Sequence, residues 1–142
     1  MLNANLATAW YASGSLKILQ GPLDEAIGQM SRALRLSPLD PLTFCTLCYT
    51  ALAHFFADRP GDAWPLAERA CRDQPQFLLA LRIAAASDAA AGRVAEAQAS
   101  ANRALQLDPD LRLSNLKMRI GPLLPDRFAK YAAALQLAGV PD

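Results

Sequence analysis

Cys45 and Cys48 are the residue pair whose type and spacing come closest to known chemistry. A Cys-x2-Cys pair is half of a zinc or thiol-redox motif, and on a helix the two thiols share a face. A structural zinc site wants four ligands, and no second pair follows. A thioredoxin-like motif wants a strand before it. His54 is the single histidine, and at about 100° per residue it lies about 600° round the helix from Cys48, well off its direction. Packed or groove-lining cysteine is the stronger reading, with no metal or cofactor expected. Asp24, Glu25 and Glu96 are acids of the kind used in general acid catalysis. They fall at expected helix starts, where carboxylates complement the helix dipole. The glycines lack the strand and glycine-rich loop that a phosphate cradle needs, and nothing marks His54 as the centre of a triad. The chain is expected not to be an enzyme.

The elements that would position these residues are helices. The chain has 142 residues, 53% hydrophobic and 19% charged, and a domain of that length buries roughly 68–70% of its unfolded surface. Ala and Leu dominate over Val, Ile and Thr, which favours helix because little side-chain freedom is lost there. The formal net charge is +1 and no basic face forms, so direct nucleic-acid binding is not expected. The longest apolar run, 77–91, is broken by Arg82 and Asp88, so no membrane span is expected. Three cysteines make no disulfide framework, and a reducing, cytoplasmic setting is the default.

Three segments repeat. Gln20-Gly21-Pro22-Leu23-Asp24-Glu25-Ala26 leads to Ala33 and Pro38; Asp58-Arg59-Pro60-Gly61-Asp62-Ala63 leads to Ala70 and Pro75; Gly92-Arg93-Val94-Ala95-Glu96-Ala97 leads to Ala104 and Pro109. The prolines are 37 and then 34 residues apart, so the second repeat carries three extra residues in or before its first helix. Leu23, Ala26, Ile27, Met30, Ala33 and Leu34 form one apolar helical face. Small residues at Gly14, Ala26, Ala33, Ala63, Ala70, Ala97 and Ala104 allow close helix approach. Gly21 and Gly92 sit where helices should stop, and Asp40-Pro41 reads as a cap and a first-turn proline.

A 34-residue period of paired helices resembles the tetratricopeptide repeat (TPR). The pattern falls on Trp10, Gly14, Ala26, Met30, Ala33 and Pro38 in repeat one; on Leu47, Ala51, Ala63, Ala67, Ala70 and Pro75 in repeat two; and on Leu81, Ala85, Ala97, Ala101, Ala104 and Pro109 in repeat three. The tyrosine of the pattern is replaced throughout. The resemblance implies an all-α right-handed superhelix of antiparallel helix pairs over one domain, 1–142, with repeats at about 7–40, 41–77 and 78–111. Helices at 110–120 and 125–138 follow, the last as a C-terminal cap that would cover an open solenoid end. Leu2-Asn3-Ala4-Asn5 aligns with the tail of a preceding repeat, and the expectation is a fragment of a longer array. The runs Asn5 to Trp10, Arg35 to Pro41, Leu81 to Ser87 and Phe128 to Tyr131 are similar to the C-terminal repeat regions of bacterial adenylate-cyclase-like and winged-helix regulator proteins, which implies a regulatory or assembly module.

By the same resemblance, the first helix of each repeat lines a groove. Repeat one would supply Thr8, Tyr11, Ser15 and Ile18. Repeat two would supply Cys45, Cys48, Leu52, Phe55 and Phe56, and repeat three Leu79, Arg82, Ala86 and Ala89. Tyr11 and Arg82 are the polar handles of an otherwise apolar surface suited to an apolar helix or extended segment. Phe55 and Phe56 fit groove and core equally well. The expected partner is a protein or peptide, which includes another domain of the same polypeptide. The alternative is self-association into a homodimer through an uncovered N-terminal end at Leu2, Leu6 and Trp10.

Overall fold

A computed structural model describes residues 4–37 and 43–142. The expected cap at Asp40-Pro41 and the tail at Leu2-Asn3 lie outside the described residues. Within them are eight α-helices and one 3-10 turn. Three helix pairs come first: α1 (Ala4–Gln20) with α2 (Leu23–Leu36), α3 (Thr43–Phe56) with α4 (Pro60–Asp73), and α5 (Leu78–Ala90) with α6 (Val94–Leu107). A 3-10 turn at Leu113–Asn115, the short α7 (Lys117–Ile120) and α8 (Pro125–Leu137) close the chain.

The second helices explain why the pairs stack. Each has 14 residues, and each buries one small stripe at i, i+4 and i+7: Ala26, Met30 and Ala33; Ala63, Ala67 and Ala70; Ala97, Ala101 and Ala104. Helix surfaces bring such positions onto one face, and the alanines among them let backbones approach. Gly14 does the same for α1, since a Cβ there would stand 3.1 Å from Met30 Cε and 3.4 Å from the Ala26 carbonyl oxygen. The sheltered helix is α5, in which every residue from Ala80 to Ala89 is buried. A helix apolar all round is one covered all round, and its two charges, Arg82 and Asp88, are buried with it.

The turns inside the second and third pairs repeat as well. After α3, Asp58 N–H donates to Phe55 and Arg59 N–H to the His54 carbonyl; after α5, Gly92 N–H donates to Ala89 and Arg93 N–H to Asp88. Both are Schellman caps, which need a left-handed residue after the helix. Gly92 takes φ +80° without cost, whereas Asp58 takes φ +60° with a side chain, a conformation that disfavours L-residues.

One expected helix is absent. Instead of a helix over 110–120, the chain turns at 109–110, runs irregularly through 111–112, and is helical only at Leu113–Asn115 and Lys117–Ile120. Local polar groups compete for the backbone there. The Asn115 side chain accepts from Arg112 N–H at 2.9 Å and donates to the Asp110 carbonyl at 2.8 Å. The Arg112 guanidinium holds the Pro109 and Leu111 carbonyls, and Leu113 N–H donates to Pro141. This break lets the C-terminal segment leave the solenoid register and turn back across α5 and α3.

Candidate functional site

The first helices of the three pairs, α1, α3 and α5, form an inner face, and the C-terminal segment lies on it. The last four carbonyls of a helix have no partner within that helix. At the end of α1 the distant segment supplies the donors. Arg127 donates to the carbonyls of Lys17 at 3.0 Å, Ile18 at 2.8 Å and Gly21 at 2.5 Å. Leu124 N–H donates to Leu19 at 3.1 Å, and Gln20 reaches the Pro122 carbonyl at 2.9 Å. At the end of α3, Lys130 approaches the Phe56 carbonyl at 3.5 Å and pairs with Asp58. Two cations three residues apart on α8 thus meet the negative ends of two helix dipoles. Burial pushes the Arg127 guanidinium below its ordinary range.

Between these anchors the face is apolar. Tyr131 is fully buried and meets Phe55 edge-on, with ring centroids 6.2 Å apart. A small cavity is lined by Leu19, Tyr49, Leu52 and Leu79 from the inner face and by Ile120, Leu123 and Tyr131 from the segment over it. Arg82 is 5% exposed. Its Nη2 donates to the Arg119 carbonyl at 3.2 Å, while Nε has no hydrogen-bond partner among the described residues. Arg119 turns its own guanidinium to Asp108 at 2.7 Å. The Tyr131 hydroxyl is held up from its ordinary pKa first by burial, with the Arg82 charge acting against that.

The eight residues expected to line the groove therefore fall into two groups. Ile18, Cys48, Leu52, Phe55 and Arg82 are buried, and half-buried Leu79 lines the small cavity under the C-terminal segment together with Leu52. Tyr11 and Ser15 are half-buried on α1. Tyr11 meets Tyr49 edge-on at 5.7 Å, and Ser15 Oγ donates to the Ala12 carbonyl. Phe56 is buried as well, as are Ala86 and Ala89. A second cavity of about 150 Å³ lies between the first repeat and the start of α3, lined by Thr8, Tyr11, Leu34, Cys45 and Thr46 among others.

Sequence reasoning did not find Arg127, Lys130 or the role of Asp58. Arg127 and Lys130 make contacts 72 to 110 residues away, which leave no local pattern. Asp58 carried a signal, because it aligns with Gly92 of the next repeat and so had to be a left-handed position. Among the described residues the three cysteines are not joined by a disulfide. Burial pushes Cys48 far up and Cys71 up to about 11, which leaves both poor nucleophiles. Burial lowers His54, with Asp62 opposing. Among the described residues no three His, Cys, Asp or Glu side chains gather to hold a metal ion.

Solved structures share this architecture. The first TPR of Spaghetti (RPAP3), bound to the HSP90 peptide SRMEEVD, superposes with a TM-score of 0.70, covering 95% of this chain and 97% of that one at 21% identity. The fold is that of a TPR domain. The NMR structure of the first TPR domain of human RPAP3 gives the same TM-score at 19% identity, with 94% and 98% covered. No protein-family model matches the sequence, and no curated protein does. Among the described residues no helix of this TPR-fold chain is long and apolar enough to cross a membrane.

Proposed function

We propose that this chain is a non-catalytic protein-interaction module that takes a polypeptide segment on the inner face of its TPR fold. The observation that carries the reading is that this face already holds a polypeptide, the chain's own residues 119–131, through main-chain carbonyls, apolar side chains and Arg82. The surface is thus complementary to polypeptide by construction. A neighbour of the same fold binds a peptide, which supports the same class of partner here. Tyr11, Ser15, Ile18, Cys48, Leu52, Phe55, Leu79 and Arg82 are the proposed contact set, with Tyr11 and Ser15 reached first because they are only half-buried. The likeness to adenylate-cyclase-like and winged-helix regulators makes the setting a cytoplasmic regulatory protein, in which another domain of the same polypeptide is a candidate partner. The mass of the native gene product in its source cells tests that setting.

The test of the module is selection of displayed peptides on the immobilised full chain. Selected peptides are expected to lose binding on Ser15→Arg, which blocks the rim of the inner face, and to keep it on Gln98→Arg on the outer helix α6. No selected peptide, or equal loss from both substitutions, refutes the reading. A second reading, homodimerisation, is favoured by Leu6 and Leu16, which are 44% and 59% exposed on α1. It requires a concentration-dependent dimer in light scattering that Leu16→Glu abolishes.

A further inference from the structure

The basic residues of α8 and the helix ends they touch form a matched pair. The last turn of α1 offers the Lys17 and Ile18 carbonyls together with that of Gly21 just beyond it, and all three are taken by one guanidinium. The last turn of α3 offers the Phe56 carbonyl and the Asp58 carboxylate, both taken by one ammonium. The two sites are spaced to accept cations at i and i+3 of a single helix, while the next position, Tyr131, and Leu135 one turn on fill the apolar floor between α3 and α5. Asp58 supports this independently. Its left-handed backbone would favour glycine, which stands at the equivalent Gly92, yet here the position carries the carboxylate that receives Lys130.

The segment is also held more lightly than the inner helices it covers. Within α8 only Tyr131 and Leu135 are buried, against nine residues of α3 and ten of α5. Its polar anchors fall on backbone carbonyls at helix ends and on the exposed Asp58 carboxylate, all of which water can satisfy when the segment leaves. Elements with few buried apolar contacts open at lower free energy than the global fold. Gly121, at φ +84°, lies at the turn that leads into α8, so the point of release is a residue free to change its dihedrals.

We propose that the inner face is specific for a basic amphipathic helix of the pattern Arg-apolar-x-Lys-aromatic, and that α8 is a built-in occupant which a partner helix of that pattern displaces. This rests on the interaction-module reading and adds the partner's chemistry and the regulation of the site. The cation pair selects the partner through charge-assisted hydrogen bonds to carbonyl oxygens, and the aromatic residue anchors it. The cis segment competes at the high effective concentration of a tethered ligand, so a free helix of this pattern must match α8 closely to enter.

The test uses the full chain, wild type and R127A/K130A, and a fluorescein-labelled peptide of residues 121–142. A second peptide carries alanine in place of Arg127 and Lys130. The loosened chain is expected to bind the basic peptide at least about tenfold tighter than the wild-type chain does, and at least about tenfold tighter than it binds the neutral peptide, a difference of one decade in Kd. Equal binding of the two peptides, or no gain in the loosened chain, overturns the proposal. If the double variant does not fold, hydrogen exchange on the wild-type chain decides: amides of α8 are expected to exchange faster than those of the inner helices α3 and α5, and a common rate for all three overturns it. Should the loosened chain bind selected peptides on its inner face while ignoring the basic pair, only this inference falls. If it binds no peptide at all, the module reading falls with it.

Discussion

Replacing Asp88 by asparagine should remove a loss of stability that sets in as pH rises through the acid range. Asp88 is wholly buried in α5, with Oδ1 2.9 Å from Arg93 Nε and Oδ2 without a hydrogen-bond partner among the described residues. Arg93 is held in turn by Glu68 at 3.2 Å and lies 3.6 Å from the Trp64 ring centroid, so one guanidinium ties α4 to α5. Burial raises the Asp88 carboxyl above its ordinary 3.8, more than the Arg93 hydrogen bond lowers it. A carboxyl with a raised folded-state pKa binds its proton more tightly in the native chain. Its contribution to stability is therefore complete below the unfolded value and declines as pH rises through the folded one, at up to about 1.4 kcal/mol per pH unit for one proton. The amide introduced by Asp88→Asn keeps an acceptor for Arg93 and cannot titrate. Urea unfolding of wild type and D88N from pH 3 upward should thus show the variant gaining on wild type as pH rises above about 4. A constant difference across the range, or wild type gaining on the variant, would refute the claim that burial outweighs the Arg93 pair.

Asp108 should behave in the opposite way. The hydrogen bond from Arg119 holds its carboxyl below the ordinary value, so its contribution is present above that value and lost as pH falls through the folded one, and D108N should narrow its deficit in acid, read by the same urea series. Cys48 is completely buried, so a thiol reagent at mildly alkaline pH should label the native chain at Cys45 and Cys71 before Cys48; labelling of Cys48 at the same rate would contradict the packing. Gly14→Leu should destabilise by at least about 1–3 kcal/mol through overpacking against Met30 and the Ala26 carbonyl, measured by thermal melting, whereas Gly28→Leu, with open space around it, should not.

The repeat is legible in the sequence because it is a local property. Ala26, Ala63 and Ala97 begin the same buried stripe three times, and Gly21 and Gly92 stop helices where their lack of a Cβ says they should. Arg82 reads as a polar handle in the sequence, and the fold buries it because of what lies above it. The Ala-rich run around it, with only Asp88 for company, already describes a helix covered on all sides. The region from Asp110 to Ile120 has a helix-like apolar pattern, and it is decided instead by Asn115 and Arg112 binding backbone groups and by Pro141 taking the Leu113 N–H. No sequence window contains both Arg127 and the α1 carbonyls that it caps. The occupied state of the inner face therefore becomes visible only with the chain folded.

The most direct measurement is amide chemical-shift mapping of the full-length R127A/K130A chain titrated with the peptide of residues 121–142. Shifts are expected to concentrate at the ends of α1 and α3 and along α5, around Ile18, Leu52, Asp58 and Arg82. Shifts confined to the outer helices α2, α4 and α6, or none at saturating peptide, would contradict the proposal.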